Sequence, residues 1–385
     1  MKILFLTDGL FPFVIGGMQK HSSILLKLLA ENGMEIHVFH PGGVNYSSEK
    51  FAEKFKSKSE NRITETQIDF PEFFQLPGHY LRENRKYSEL CFKTIEKKLN
   101  QFDLIYAQGF TGWHFLKEKK KKTFSIPIIV NFHGYGEFQK APEFRTALAY
   151  LMLRPAIKYN TINADYVYSF GGVIDIILSK IGISNSKILR QANGIEKDWI
   201  TNEPKSHSKR TFVFIGRDER RKGLVELNSV LTNIEINGKA IFDFHFIGSF
   251  KESSKLKSDN FQYHGELSDQ NQLISILDKC DCLVLPSYAE GMPTVILEAM
   301  ARGLVIIATD VGAVSEQIEG NGLLLPRPEI ASLQKAIETI LCLSEDELFE
   351  MKQKSIELVK KKFLWSKIVE SKINDFHQIT KSKLS

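Results

Sequence analysis

The sequence predicts an α/β protein with two doubly wound parallel-sheet domains that face a central cleft. The chain has 385 residues, the length of two domains of usual size. Short apolar runs of strand length alternate with stretches whose apolar residues recur at helical spacing, as in parallel sheets covered by helices. This alternation breaks in the turn-rich segment 201–210 and then starts again. One domain is therefore expected on each side of that segment.

The first unit of the N-terminal domain is expected to be a strand, a helix and a second strand. Residues 2–7 form an apolar run of the kind that is buried on both faces of a parallel sheet. Apolar residues from Ile24 to Leu29 then recur at helical spacing, and Gly33 stands where a C-cap glycine belongs. Glu35–His40 is expected to be the next strand. This βαβ unit begins a doubly wound, Rossmann-like domain.

The middle of the chain repeats this rhythm less regularly. Further strands are expected at 104–107, 128–132 and 166–169. Residues 42–100 combine charged and aromatic side chains without a clear period, so loops and helices are expected there.

The second domain follows the linker 201–210, where Pro, Ser and Asn accumulate. Its expected elements are strand 212–215, a helix from Leu224, strand 242–247, helix 268–279, strand 283–285, a helix from Thr294 and strand 305–308. The predicted organisation is an N-terminal domain over 1–200, the linker, and a C-terminal domain over 211–362. A last helix within 363–385 is expected to return to the N-terminal domain.

The composition excludes several classes of protein. With 43% hydrophobic and 25% charged residues, the chain is an ordinary globular protein and not a fibre or a disordered tail. The net charge of +5 is small for this length, which argues against a dedicated nucleic-acid binder.

The cysteines suggest a reducing compartment. There are four, Cys91, Cys280, Cys282 and Cys342, and their spacing fits neither a metal site nor a disulfide framework. The apolar stretch at the N-terminus is too short for a signal peptide, and no apolar run reaches the roughly 18 residues that a membrane span needs. We therefore predict a cytoplasmic protein.

One basic run, Lys117–Lys122, has two interpretations. It could touch an anionic membrane surface at the inner face of the membrane, or it could be a solvated loop before the strand that follows. The loop is the favoured interpretation, and peripheral membrane contact stays open.

The first chemical motif runs from Gly216 to Gly223, directly after one predicted strand and before a predicted helix. Its glycines allow the backbone to approach a ligand closely, while Arg217 and Lys222 bring two cations to the start of a helix. This combination suits a pyrophosphate. A charged surface turn explains the same residues equally well when they are considered alone, and the motif is neither a Walker loop nor a Gly-x-Gly-x-x-Gly fingerprint.

The second motif places two carboxylates eight residues apart. Glu290 lies in a loop after a predicted strand, and Glu298 lies about one turn into the next helix, so both are expected to point into the same crevice and accept hydrogen bonds from hydroxyl pairs. At the start of that helix, around Pro293, three residues offer free backbone N–H groups for a phosphate or hydroxyl: Gly291, Met292 and Thr294. The alternative is that Glu298 only supports the helix electrostatically.

Two weaker motifs lie in the N-terminal domain. His133 ends a predicted strand and is followed by glycine, so it is expected to face the cleft and to contact a substrate hydroxyl or a leaving phosphate. The pair Gly16 and Gly17 allows backbone N–H groups to approach ligand oxygens. Both motifs also have a structural explanation. His133 could be a buried histidine without a role in binding, and Gly16-Gly17 could be an ordinary glycine turn.

Taken together, these residues resemble the family 4 glycosyltransferases of the GT-B fold. The resemblance rests on Gly16-Gly17, His133-Gly134, Asn193-Gly194-Ile195, Gly216-Arg217 with Lys222-Gly223, and Glu290 with Glu298 as a Glu-x7-Glu motif. It implies a retaining, hexosyltransferase-like enzyme that moves a sugar from a nucleoside-diphosphate donor to a saccharide or lipid-linked acceptor. Synthesis of cell-surface polysaccharide or glycolipid is the expected setting.

The resemblance also implies roles for single residues. Arg217 and Lys222, beside Gly216, would hold the diphosphate, and Glu298 would hold the ribose. Glu290 would bind the transferred sugar with residues 291–294, while Gly17 would close on the phosphate next to Gly16. His133 would contact the sugar or the leaving group, and 42–100 would shape the acceptor pocket. The resemblance also implies that no cofactor and no metal are needed, and the sequence contains no Asp-x-Asp metal motif.

Two departures from the family pattern concern the subfamily. Gln19 stands where the family commonly has a glutamate after the two glycines. Gly303-Leu304 precedes Val305, whereas the family often has a proline before this valine. Alternatives to a transferase are a nucleotide-sugar epimerase or hydrolase on the same fold, and a catalytically silent scaffold that binds sugar nucleotides.

Overall fold

The computed structural model describes residues 1–55, 62–74, 76–205, 207–236, 242–267 and 269–381. Position 206 of the predicted linker, position 268 of the predicted helix 268–279 and positions 382–385 of the last predicted segment lie outside these ranges. So do positions 56–61 and 75 of the irregular stretch 42–100.

The N-terminal half is built around a parallel sheet of seven strands in the order β3-β2-β1-β4-β5-β6-β7. The strands are β1 (Lys2–Leu6), β2 (Glu35–His40), β3 (Ile63–Gln67), β4 (Leu104–Gln108), β5 (Ile128–Asn131), β6 (Tyr166–Ser169) and β7 (Ile188–Arg190). Its helices are α1 (Gly17–Glu31), α2 (Ser48–Phe55), α3 (His79–Ile95), α4 (Trp113–Lys120), α5 (Phe144–Asn163) and α6 (Val173–Ile181).

The C-terminal half holds a parallel sheet of six strands in the order β10-β9-β8-β11-β12-β13. The strands are β8 (Thr211–Ile215), β9 (Asp243–Ile247), β10 (Phe261–Tyr263), β11 (Cys282–Leu285), β12 (Val305–Thr309) and β13 (Gly322–Leu325). The helices are α7 (Leu224–Ile236), α8 (Gln270–Leu277), α9 (Thr294–Ala301), α10 (Ile330–Cys342), α11 (Glu345–Lys362) and α12 (Trp365–Lys381).

Both sheets have the doubly wound topology that the sequence predicts. The strand order reverses between β1 and β4 in the first sheet and between β8 and β11 in the second. Ligands of such sheets bind beyond the carboxyl ends of the strands at this reversal. The loops after these four strands are therefore the first place to look for a site.

The last helix lies on the N-terminal sheet. Val369, Phe376 and Ile379 of α12 are buried in the same core as Ile3 and Phe5 of β1. Where α11 gives way to α12, the backbone N–H of Ile195 donates to the carbonyl of Phe363 at 2.7 Å. The last helix thus packs against the N-terminal half of the chain.

The strands that the sequence predicts are present, and four others are not foreseen by it. In the part of the chain that the structure describes, these are the outermost strands of the two sheets: β3, β7, β10 and β13. β3 reads Ile-Thr-Glu-Thr-Gln and only Ile63 in it is buried, because an edge strand needs one apolar contact and not a continuous apolar run. The irregular stretch 42–100 therefore contains a strand as well as helices.

The basic run is not the loop that we favoured. Lys117, Lys119 and Lys120 belong to the last turn of α4, where cations complement the C-terminal end of the helix dipole. Lys119 pairs with Asp165, and Lys121 pairs with Glu118 at 2.8 Å. Part of the run's charge is thus used within the protein.

Candidate active site

The loop after β8 brings Lys222 to the loop after β11. Gly223 follows it with φ +73, and a Cβ there would lie 1.9 Å from the carbonyl oxygen of Pro286. Only glycine combines this left-handed backbone with so close an approach. The two loops at the strand reversal of the second sheet are thereby held together.

Lys222 forms a compact ion pair with Glu290. Its Nζ lies 2.6 Å from Oε1 of Glu290, which also accepts a hydrogen bond from the hydroxyl of Ser287 at 2.7 Å. The Glu290 side chain is only 9% exposed. Burial alone would raise the pKa of Glu290, but Lys222 and Arg221 outweigh it and lower that pKa. Glu290 is therefore a charged carboxylate beside a fixed ammonium group.

Arg217 is not part of this cluster. Its side chain is 70% exposed and its Nε pairs with Glu219 at 3.0 Å. Instead Arg221 approaches Glu290, with 3.9 Å between Nη1 and Oε2. The role of Arg217 toward a diphosphate stays a prediction, since it needs the side chain to leave Glu219. Arg221 is a cation that the sequence motif contained but did not single out.

His133 lies at the carboxyl end of the first sheet, facing Glu290 across a shared cavity of about 470 Å³. Its ring Nε2 is 3.0 Å from the amide oxygen of Gln108, so Nε2 donates and Nδ1 is left as an acceptor. Burial lowers the pKa of His133 to about 3, with a further contribution from Lys372. The ring is thus neutral near pH 7 and acts as a hydrogen-bonding group, not as a cation.

The two halves touch where the loops after β5 and β11 meet. A Cβ on Gly291 would lie 1.9 Å from the carbonyl oxygen of His133. Beside this contact, the amide of Gln139 donates to the carbonyl of Glu290 at 2.6 Å and accepts from the N–H of Gly312 at 3.0 Å. The contact fixes Glu290 relative to His133.

Glu298 faces a different, smaller cavity, so the two carboxylates do not share one crevice in this conformation. It is the fifth residue of α9, and its Oε1 lies 3.2 Å from Nζ of Lys20 in α1. Gly17 and Thr294 line the same small cavity. The expectation from spacing is wrong here because Gln139 pins the loop of Glu290 while Lys20 attracts Glu298 from the opposite sheet.

The other predicted site residues also lie along the border between the two halves. Gly17 has open space where a Cβ would stand, whereas Gly16 is covered by Gln19. Met292 is bound by Asn193, whose side-chain amide donates to the Met292 carbonyl at 2.6 Å. Pro293 is the N-cap of α9. Gly216 begins the Lys222 loop, where its N–H donates to the carbonyl of Ile247 at 2.9 Å.

Besides Arg221, two residues at the border between the two halves were missed by motif reading. Asp8 follows β1 and lines the cavity that contains His133 and Glu290, and Lys20 forms the ion pair with Glu298. Only the topology could have indicated them, because both follow β1, one of the two strands between which the strand order of the first sheet reverses. Neither belongs to a recognisable local motif.

Replacing Asp8 with asparagine is expected to stabilise the protein above pH 6. Burial raises the pKa of Asp8 to about 6, while Gln19 Nε2, at 3.1 Å, partly offsets this. Because the folded-state pKa is raised, folded Asp8 costs stability as pH rises through about 6. Thermal unfolding should give a midpoint roughly 2–4 °C higher for Asp8→Asn at pH 7.5, and no difference near pH 4. A constant difference across this range would contradict the assignment.

The comparisons with known proteins agree with this geometry. Residues 15–199 match the family model Glycosyltransferase Family 4, and residues 196–360 match the model Glycosyl transferases group 1. The chain is a family 4 glycosyltransferase. Among the relatives of this glycosyltransferase is a Bacillus subtilis protein named "Putative teichuronic acid biosynthesis glycosyltransferase TuaC", 25% identical over 402 residues that cover 100% of both chains.

Solved structures show that this glycosyltransferase has the GT-B fold. A sucrose-phosphate synthase from Thermosynechococcus elongatus superposes with a TM-score of 0.75, 19% identity and 99% coverage of both chains. Anabaena HepE in complex with UDP and glucose gives a TM-score of 0.66 at 17% identity, covering 98% of this chain and 99% of HepE.

The ranges that the structure describes show neither a membrane-spanning helix nor a cluster of metal ligands. Among their helices, none combines the length and the apolar character needed to cross a bilayer. The same ranges contain no group of three or more His, Cys, Asp and Glu side chains that could hold a metal ion.

Proposed function

We propose that this glycosyltransferase is a retaining, hexosyltransferase-like enzyme that uses a nucleoside-diphosphate sugar and needs no metal. Its acceptor is proposed to be a saccharide or lipid-linked saccharide of a cell-surface polysaccharide or glycolipid. The observation that carries the proposal is the ion pair of Lys222 and Glu290, 2.6 Å apart, at the strand reversal of the second sheet and opposite His133.

The pair supplies both charges that a sugar nucleotide requires. On donor binding, Lys222 would exchange the carboxylate of Glu290 for a phosphate oxygen and stabilise the negative charge that develops on the leaving diphosphate. Glu290 would then accept hydrogen bonds from hydroxyls of the sugar. A buried, charged carboxylate released from its ion pair needs such donors, which favours a hydroxyl-rich ligand.

Glu298 is suited to the ribose. Its carboxylate is nearly buried beside Gly17, and Lys20 reaches it from the opposite domain. Ribose hydroxyls would replace Lys20 as hydrogen-bond partners, and this would free Lys20 to meet the diphosphate. Arg217 would join by leaving Glu219.

In the proposed transfer, the bond between the anomeric carbon and the diphosphate oxygen breaks while a bond to the acceptor oxygen forms on the same face. The acceptor's proton passes to the departing diphosphate oxygen, so no protein nucleophile is required. Neutral His133 would orient the sugar by accepting a hydrogen bond from a sugar hydroxyl at Nδ1, rather than donate a proton. Closure at Gly134 and Gly291 would exclude water.

The names of similar proteins support the substrate classes. TuaC is named as a putative teichuronic acid biosynthesis glycosyltransferase, and HepE was solved with UDP and glucose. We transfer to this chain only the classes, a polysaccharide product and a nucleoside-diphosphate donor.

The test is release of nucleoside diphosphate from a panel of nucleotide sugars, with and without cell-derived saccharide and lipid-linked acceptors. We expect acceptor-dependent release and a product that retains the donor's anomeric configuration, both unchanged by EDTA. Products formed without an acceptor would instead identify an epimerase or hydrolase. Donor-induced thermal stabilisation without turnover would identify a silent binding protein. Loss of turnover with EDTA that Mg²⁺ restores would overturn the metal-free reaction.

A further inference from the structure

Two carboxylates lie on the wall of the active-site cavity that the N-terminal domain contributes. Asp8 follows β1 and Glu137 follows β5, and both line the cavity of about 470 Å³ that also holds His133 and Glu290. Burial raises the pKa of both side chains, that of Asp8 to about 6. The donor chemistry proposed above uses neither of them. They are therefore titratable groups at the site without an assigned role.

Neither carboxylate forms an ion pair with a cation in the ranges that the structure describes. Asp8 accepts a hydrogen bond from the side-chain amide of Gln19 at 3.1 Å, and this donor is uncharged. Arg154 donates to the backbone carbonyl of Glu137 at 2.7 Å, and its charge offsets only part of the effect of burial on the pKa of the Glu137 carboxyl. This wall of the cavity is thus negatively charged at pH 7.

The cations near the cavity lie on the opposite wall, which the C-terminal domain contributes. Arg221 pairs with Glu219 at 2.8 Å and approaches Glu290 at 3.9 Å. Lys222 pairs with Glu290 at 2.6 Å. Both cations are next to the position proposed for the donor's diphosphate, so a bound donor would neutralise them. The described charges that would then face an acceptor are those of the two carboxylates.

Aromatic rings lie beside the two carboxylates. Tyr80 packs edge-on against Phe110 with 6.0 Å between ring centroids, and Phe110 packs in the same way against Phe132 at 5.1 Å. All three line the cavity. Burial raises the pKa of Tyr80 to about 12, and the nearby charges of Asp8 and Glu137 contribute to this shift. A sugar has hydroxyls at its edge and C–H groups on its faces, so carboxylates beside aromatic rings suit a saccharide.

The unfavourable position of Asp8 supports a role in binding. A carboxylate whose pKa is raised by burial lowers the stability of the fold above that pKa, so asparagine would be better for folding alone. Groups that are kept at such a cost are concentrated at functional sites. Hydroxyl or ammonium donors of a bound sugar would add hydrogen bonds to this buried carboxylate.

We propose that Asp8 and Glu137 select an acceptor sugar that carries no acidic group, and that they favour a sugar with an amino group. Hydroxyl and ammonium groups can donate to both carboxylates, whereas a uronic acid or a phosphorylated sugar would bring a further negative charge against them. The selection thus comes from repulsion of the wrong acceptor as well as from hydrogen bonds to the right one. It deepens the proposed function, on which it rests for the assignment of this cavity to the acceptor.

The test measures binding of three methyl glycosides to the full chain by saturation-transfer difference NMR at pH 7, without nucleotide sugar. The probes are the methyl glycosides of glucose, glucosamine and glucuronic acid, which are neutral, mainly cationic and anionic at this pH. We expect the wild type to bind the glucosaminide at least about tenfold more tightly than the glucuronide, with the glucoside between them.

Variants connect this preference to the two carboxylates. Asp8→Asn/Glu137→Gln removes both charges at nearly constant side-chain volume and should narrow the ratio of the two dissociation constants to about threefold or less. The matched variant Glu35→Gln/Glu49→Gln removes two exposed acids of β2 and α2 and should keep the wild-type ratio. Circular dichroism checks the folding of each variant.

Several results would overturn the proposal. These are binding of the glucuronide as tightly as the glucosaminide by the wild type, an unchanged ratio in Asp8→Asn/Glu137→Gln, and no binding of any of the three probes. A ratio that changes in Glu290→Gln but not in that double variant would assign the selection to the donor end of the cavity and contradict it as well. Because no sugar is transferred in this assay, these failures are distinct from failure of the proposed function, which is measured as diphosphate release.

Discussion

Replacement of Lys222 with alanine is expected to lower kcat/KM by about 100- to 1,000-fold, the usual effect of removing one group that stabilises a developing anion. Lys222 is the cation that contacts the buried Glu290, at 2.6 Å, and it is the group proposed to meet the leaving diphosphate. Its removal also leaves Glu290 with Arg221 at 3.9 Å as its nearest cation. Steady-state kinetics of diphosphate release provides the measurement.

The controls separate the missing charge from misfolding. Lys222→Arg keeps the positive charge and should retain more activity than Lys222→Ala. Lys251→Ala removes an exposed lysine from the loop after β9 and should leave kcat/KM unchanged. Undiminished turnover in a correctly folded Lys222→Ala variant would overturn the role assigned to Lys222.

Replacement of Gly291 with alanine is expected to reduce kcat/KM by about 100-fold or more, although the variant should fold. The new Cβ would stand 1.9 Å from the carbonyl oxygen of His133, where ordinary contacts begin near 3.4 Å. The loops after β5 and β11 must then separate by about 1.5 Å, which moves Glu290 away from His133, and misplacement of this size costs about 100-fold in reaction rate.

A matched variant lies in the same cleft. A Cβ on Gly136 would lie 3.9 Å from the Cβ of Ala289, an ordinary contact, so Gly136→Ala should keep nearly full activity. Circular dichroism should show the same secondary structure for both variants, because the clash lies outside the two sheet cores. Equal kinetics for Gly136→Ala and Gly291→Ala would refute the view that this close contact aligns the site.

How much of the fold the sequence predicts depends on how far apart along the chain the interacting residues are. Strands buried on both faces, such as β1 and β8, are recognisable because the four residues after the first in each are apolar and buried. An edge strand such as β3 carries no such constraint. β3 forms because the backbone N–H and C=O groups of β2 pair with it. β2 comes from an earlier part of the chain, so the sequence of β3 alone does not indicate this pairing.

The same distinction holds for the site. The motifs around Lys222 and Glu290 are local, and their residues do meet in the fold. The partners that hold these carboxylates are distant in sequence: Gln139 binds the Glu290 backbone, and Lys20 binds Glu298. No spacing along the chain could indicate that these two carboxylates would face different cavities.

The sequence by itself determined the two parallel-sheet domains and the glycosyltransferase motifs, because burial patterns and short loop motifs are properties of neighbouring residues. Only the tertiary structure decided which cations reach Glu290, how Gly291 closes on His133, and that Asp8 lines the same cavity. It also decided that the apolar side chains of α5 stay outside the core. These features depend on how the two sheets and their loops pack, and packing is set by contacts between residues far apart in the chain.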